Sequence, residues 1–86
     1  MKRYIVTIEL ATESTEQLIK QIGAHVSLTG LSNSVDGHIT KEEVLEPDTI
    51  KFYLITKLDE HVVQFIFEDT LIELDVDYHD IVVMPR

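Results

Sequence analysis

The chain has 86 residues, with 16 acidic and 7 basic side chains, four histidines and no cysteine, so its formal net charge is −9. This length allows one small domain, residues 1–86, and leaves no room for separate cofactor and substrate domains. The lack of cysteine excludes disulfides, thiol nucleophiles and cysteine-ligated metals, and it is typical of a reducing compartment. We therefore expect a single cytoplasmic domain that begins at Met1, with no leader peptide and no membrane-spanning segment.

The negative charge is concentrated in the second half of the chain. Residues 1–41 contain as many basic as acidic side chains, whereas residues 42–86 contain 12 acidic and three basic ones. A chain of this charge repels polyanions and anionic lipid, which disfavours direct binding to nucleic acid or to a membrane. The asymmetry between the halves instead favours a basic protein partner.

The first third of the chain predicts a strand followed by a helix. Residues 3–10 alternate between apolar and polar side chains, as a strand of a half-buried sheet does. Ser14 and Gln17 match a capping box, and the apolar stripe that follows, as far as Val26, predicts a helix. The glycine- and serine-rich residues 27–37 predict a loop, which we expect to be mobile and to contact a partner.

Two further strands are predicted on either side of Pro47. Residues 38–46 are polar and indicate an edge strand, which Pro47 ends because proline lacks a backbone donor. Residues 49–58 alternate regularly and predict a strand with a buried face. Tyr53 falls on the outer side of this strand together with Lys51, so we expect Tyr53 to lie on a partner surface.

Residues 59–70 allow two interpretations. Residues 62–67 are β-branched or aromatic almost throughout, which favours a strand. The alternative is a second helix with Asp59 as its N-cap. We predict the strand, and therefore an α+β fold of the order β-α-β-β-β-β, in which one helix packs on a twisted antiparallel sheet. The alternative with the second helix has the ferredoxin-like order β-α-β-β-α-β.

The sharpest local pattern spans residues 70–79. Its alternation predicts a strand that carries four polar side chains on one face, about 6.7 Å apart: Glu73, Asp75, Asp77 and His79. Three carboxylates beside an imidazole suggest a site for Mg²⁺ or Mn²⁺, built on Asp75, Asp77 and His79. A solvated strand face and an acidic protein-binding surface are the alternatives, and we assign no metal ligand.

No motif for nucleophilic catalysis or phosphate binding occurs in the sequence, which favours a non-enzymatic function with no catalytic residue and no cofactor. We expect a small acidic interaction domain that binds a basic protein. A sharper hypothesis is an inhibitor that imitates nucleic-acid charge, as anti-restriction and anti-CRISPR proteins do, because carboxylates on one strand face repeat at about two phosphate steps. The expected contact residues are Glu42, Glu43, Glu46, Glu73, Asp75, Asp77 and Asp80.

Two other functions stay open on the sequence alone. One is a small metal-dependent domain, and the other is a regulatory domain that binds a small molecule. We also expect that an exposed sheet edge can form a homodimer, because unpaired backbone groups at an edge accept a further strand.

Overall fold

A four-stranded antiparallel sheet and two α-helices make up the described part of the chain, residues 1–31 and 37–86 of a computed structural model. The elements, in chain order, are β1 (Lys2–Leu10), α1 (Glu16–His25), β2 (Gly37–Glu46), β3 (Thr49–Thr56), α2 (Glu60–Glu73) and β4 (Tyr78–Pro85). Neighbouring strands run antiparallel in the order β2-β3-β1-β4. The predicted α+β class with an antiparallel sheet is therefore confirmed.

Alternating burial separates the two faces of the sheet. In β1 the even-numbered residues from Tyr4 to Leu10 are buried, and in β3 those from Ile50 to Thr56 are buried. Both helices add their buried side chains to the same core, so they cover the same face of the sheet. The odd-numbered residues of β1 and β3 lie on the opposite face, which neither helix covers. We call it the open sheet face.

The second helix corrects the one-helix prediction. Residues Glu60–Glu73 form α2, and the elements follow the order of the alternative, β-α-β-β-α-β. The buried residues of α2 recur at helical spacing: Val63, Phe67, Thr70 and Leu71. β-Branched and aromatic residues favour strands only weakly, and the packing of this side of α2 on the sheet overrides that preference.

The first helix starts one residue later than predicted, and the chain stays helical beyond its end. Its N-cap is Thr15 rather than Ser14, and the Thr15 hydroxyl oxygen accepts a 3.1 Å hydrogen bond from the Leu18 N–H. After α1 the chain continues in a π-helical turn, Val26–Gly30, where a loop was predicted. Most of the remaining predicted loop, residues 32–36, lies outside the described residues.

The central strand β1 brings the two ends of the chain together. It pairs with β3 on one side and with β4 on the other, and the Arg86 N–H donates a 2.8 Å hydrogen bond to the Arg3 carbonyl.

The sheet edges are β2 and β4. The register of β2 shifts twice, at Thr40 and at Leu45, and such bulges interrupt the hydrogen-bond ladder of an edge strand.

An ion pair connects the start of α2 to β1. Asp59 is the N-cap residue of α2, but its side chain makes no capping hydrogen bond and instead accepts one from the Lys2 ammonium. This hydrogen bond lowers the pKa of Asp59 below its ordinary value and raises the pKa of Lys2. Both side chains are more than half exposed to solvent, so the pair contributes little to stability.

We expect Lys2→Gln to return the pKa of Asp59 towards the ordinary carboxyl value, because the hydrogen bond and the positive charge are both lost. A carboxylate with a lowered folded-state pKa stabilises the fold above its unfolded-state pKa, about 4, and this contribution disappears as the pH falls through the folded-state pKa. The small stability difference between wild type and variant should therefore vanish at acidic pH. An NMR titration of Asp59 and denaturation at several pH values measure both effects, and an unchanged Asp59 pKa would contradict the ion pair.

Candidate functional site

The second helix and the turn after it carry most of the excess negative charge. Residues 59–77 contain seven carboxylates and no lysine or arginine, and we call this segment the acidic helix surface. Its acidic residues are Asp59, Glu60, Glu68, Asp69, Glu73, Asp75 and Asp77. Apart from Asp59, none of them lies within ion-pair distance of a cation in residues 1–31 and 37–86. Apart from Asp59, which pairs with Lys2, the segment therefore presents carboxylates whose negative potential no neighbouring lysine or arginine neutralises.

Two large apolar side chains lie exposed within this surface. Phe65 is 65% exposed and Ile72 is 70% exposed, although the other side of α2 forms part of the core. Seven residues separate the two positions, so both lie on the same side of the helix, about 10 Å apart along its axis. Glu68 and Asp69 lie between them in the chain. Exposed apolar side chains bordered by charged ones are typical of protein contact surfaces.

The way α2 ends determines where Asp75 lies. The Val76 N–H donates a 2.8 Å hydrogen bond to the Leu71 carbonyl, and the Asp75 N–H donates a 3.0 Å bond to the Ile72 carbonyl. These two bonds form a Schellman motif. Asp75 has a φ of 56°, a left-handed conformation in which glycine is the commonest residue. Val76 then packs against the core, while Asp75 stays exposed.

The predicted acidic strand face over residues 70–79 is wrong. Glu73 is the last residue of α2, Asp75 lies in the turn, and Asp77 lies in the link that leads to β4. His79 is the single member of the set that belongs to a strand. The alternation misleads because a helix ends at Glu73 and a turn follows it. Side chains two residues apart share a face only in a strand. The metal hypothesis loses the geometry on which it depended.

The other predicted contact residues divide between two places. The register of β2 puts Glu43 and Glu46 on the open sheet face and Glu42 on the helix-covered side, next to α1. Asp80, which pairs with Glu9 of β1, also lies on the open sheet face. The seven predicted contact residues therefore do not form one patch: three belong to the acidic helix surface, three to the open sheet face, and one to the sheet edge beside α1.

The open sheet face has a cluster of its own around Tyr53. The Lys41 ammonium lies 5.4 Å from the centroid of the Tyr53 ring, and the Arg86 guanidinium carbon lies 5.2 Å from it. The Tyr53 hydroxyl donates a 3.3 Å hydrogen bond to Glu43, and the Lys41 ammonium forms a 3.3 Å ion pair with the same carboxylate. Tyr53 lies outside the core as expected, and its contact with a partner stays a prediction. The cluster joins separate strands, so no local sequence signal could have revealed it.

The described residues contain no preformed metal site. In residues 1–31 and 37–86, no three histidine or carboxylate side chains are grouped so that they could hold a metal ion. Neither α1 nor α2 is long and apolar enough to cross a membrane. The candidate site is defined by its charge and its exposed apolar side chains.

Comparison with known proteins finds no matching family model, no matching curated protein and no matching solved structure. The function is therefore argued from the residues and their geometry.

Proposed function

We propose that this protein is a small acidic, non-enzymatic interaction domain that binds a basic protein through the acidic helix surface. The observation that carries the proposal is the exposure of Phe65 and Ile72 within a segment of seven carboxylates that contains no lysine or arginine. Covering apolar surface is favourable by about 25 cal/mol for each Å² removed from water. A partner whose apolar contact site is bordered by cations would satisfy both the apolar and the charged side chains.

The two kinds of side chain would have different roles in binding. Phe65 and Ile72 would provide most of the affinity, because a few buried aromatic or aliphatic side chains dominate the binding energy of most interfaces. The carboxylates would attract the partner and orient it, and salt screens this attraction over about 8 Å at physiological ionic strength. Rising salt should therefore slow association more than it speeds dissociation.

A narrower form of the proposal is an inhibitor that imitates nucleic-acid charge and occupies the binding groove of a nucleic-acid-binding protein. Such a groove contains lysine and arginine side chains, which would pair with the carboxylates of the acidic helix surface. The carboxylates follow a helix and a turn, so the repeat expected for a strand face does not support this form. Its support is the concentration of charge in residues 59–77. A ferredoxin-like fold, which the element and strand orders support, and a cytoplasmic location are parts of the same proposal.

Binding of a model peptide tests the interaction surface directly. We expect an amphipathic peptide of lysine and leucine to change the NMR chemical shifts of α2 and the turn after it, with an affinity that falls as salt rises. Phe65→Ser should weaken binding at least about tenfold. The matched control is Val82→Ser, which changes an apolar residue of the open sheet face that is 42% exposed and should leave the affinity unchanged. Shift changes spread evenly over all acidic residues, Glu9 included, would overturn the proposal.

A competition experiment tests the inhibitor form separately. A basic DNA-binding protein is first bound to a fluorescent duplex, and release of the duplex by the present protein is followed by anisotropy. We expect release to be lost in the variant Glu68→Lys/Asp69→Lys and kept in the control Glu13→Lys/Glu16→Lys, which makes the same charge change at the start of α1. Peptide binding without any release of DNA would reject the inhibitor and leave the interaction domain.

A further inference from the structure

We propose that the open sheet face binds the same face of a second copy, so that the protein forms a face-to-face homodimer. Four of the seven basic residues and four of the sixteen acidic residues lie on this face. The face therefore has no net formal charge, and the whole charge of −9 belongs to the rest of the molecule. Two copies can approach through it without the repulsion that their acidic helix surfaces would cause.

The charges on the open sheet face are separated along the strands. Arg3 lies in the row at one end, and the paired Glu9 and Asp80 form the row at the other end, while the Arg86 guanidinium reaches the Tyr53 ring in the next row. Successive residues on one face of a strand lie about 6.7 Å apart, so the two rows are about 20 Å apart. The face has a positive end and a negative end, which complements a second copy turned end for end.

Apolar side chains fill the space between the charged rows. One middle row contains Met84 beside Ile5 and Tyr53, and the next contains Val82 beside Thr7 and Lys51. Met84 is 58% exposed and Val82 is 42% exposed, and no described element covers either of them. A second copy would remove both side chains from water.

The charge pattern selects one symmetry axis. When the strands of two facing sheets stay aligned, the two-fold axis that relates the sheets lies in the plane between them and runs either along the strands or across them. An axis along the strands would place the acidic end row over the same row of the second copy, so Asp80 would face Glu46 and like charges would meet. An axis across the strands, between the two middle rows, places Arg3 over Glu9 of the second copy. The arrangement across the strands is the favourable one.

The same axis makes the middle rows complementary. It places Met84 over Val82 of the second copy, so apolar side chains meet. On β2, the register places Lys41 and Glu43 in consecutive rows, so each meets the opposite charge.

The size of the face sets the expected strength of the dimer. Four strands about 4.8 Å apart and eight to ten residues long give roughly 500 Å² for each copy, or about 1,000 Å² in total. That area is at the lower limit of specific interfaces, so we expect a reversible dimer with a dissociation constant on the order of tens of micromolar.

Sedimentation equilibrium of the full chain between about 5 and 500 μM tests the proposal. Arg3→Glu and Glu9→Arg should each weaken the dimer at least about tenfold, and the double variant should return to within about threefold of wild type, because the axis places these two positions opposite each other. Both residues are exposed, and circular dichroism confirms that each variant is folded.

A second pair of variants separates this face from other surfaces. Met84→Glu should weaken the dimer, while Ile72→Glu makes the same change at an exposed residue of α2 and should leave the dimer intact. A monomer at every concentration, or a double charge variant no tighter than its single variants, would overturn the proposal. A dimer that survives Met84→Glu and is lost with Thr40→Pro would indicate edge pairing through β2 instead, and would overturn it too.

Discussion

Replacing Phe67 with alanine is expected to remove about 3–5 kcal/mol from the free energy of unfolding. Phe67 is fully buried, and the centroid of its ring lies 5.4 Å from that of Phe52, with the two ring planes tilted by 48°. This contact joins α2 to β3, so its loss leaves a cavity between helix and sheet. A domain of this size has a total stability of about 5–10 kcal/mol, so the variant should lose a third or more of it. Urea denaturation followed by circular dichroism measures the difference.

The matched control for this prediction is Phe65→Ala. Phe65 belongs to the same helix but is 65% exposed, so we expect a change of less than about 1 kcal/mol. The comparison also tests the secondary structure, because a strand would turn residues 65 and 67 to the same face, whereas a helix separates them by about 200°. Similar losses in the two variants would contradict the helix.

Replacing Gly37 with alanine is expected to destabilise the domain by at least about 2 kcal/mol. Gly37 begins β2 with a φ of 140°, a backbone conformation that side chains disfavour. An added Cβ would lie 2.1 Å from the Ile55 carbonyl oxygen and 2.7 Å from the Thr56 Cα. These are backbone atoms of β3 that cannot rotate away, so β2 would have to move off the sheet. Thermal and urea denaturation both report the loss.

Gly23→Ala is the control that the chain itself offers. An added Cβ there would lie 2.8 Å from Oε1 of Glu42, the far end of a flexible and exposed side chain. Gly23 lies within α1, where alanine favours the helix by up to about 1 kcal/mol over glycine. We therefore expect no loss, or a small gain, of stability. A larger loss in Gly23→Ala than in Gly37→Ala would contradict the backbone account of Gly37.

The strands with one buried face were the predictable part of the fold. In β1 and β3 the helices cover one face and solvent contacts the other. Apolar and polar residues therefore alternate along the sequence with the period of two that burial has. Tyr4, Val6 and Ile8 illustrate the pattern in β1. Residues 49–56 show the same alternation, and Tyr53 correctly falls on the outer side.

The sequence pattern offered the second helix, with Asp59 as its N-cap, only as the alternative, because the apolar residues of this helix face three different surroundings. Phe67 packs on the sheet, and Ile66 approaches Gly30 so closely that a Cβ on that glycine would lie 2.2 Å from its Cγ2 atom. Phe65 points to solvent. A helix that is apolar on all these sides has no amphipathic period, and its β-branched and aromatic residues then resemble a strand.

The candidate site was predicted in its charge but not in its geometry. The seven carboxylates of residues 59–77 are visible in the sequence, yet their placement depends on a helix end that lacks the usual glycine, because Asp75 adopts the left-handed conformation. The open sheet face was invisible for another reason. Its rows depend on the register between β1, β3 and β4, and one sequence carries no record of cross-strand neighbours.

The position of β1 between β3 and β4 constrains how the domain acquires its structure. Lys2 pairs with Thr56, and Tyr4 pairs with Pro85, so this strand finds its neighbours far along the chain. Closing such long loops costs entropy before any pairing is gained, which slows folding relative to a helical protein of equal size. During synthesis β1 leaves the ribosome well before β3 and β4 do. A nascent chain would therefore expose an unpaired apolar strand, and protection by a chaperone would be most useful in that interval.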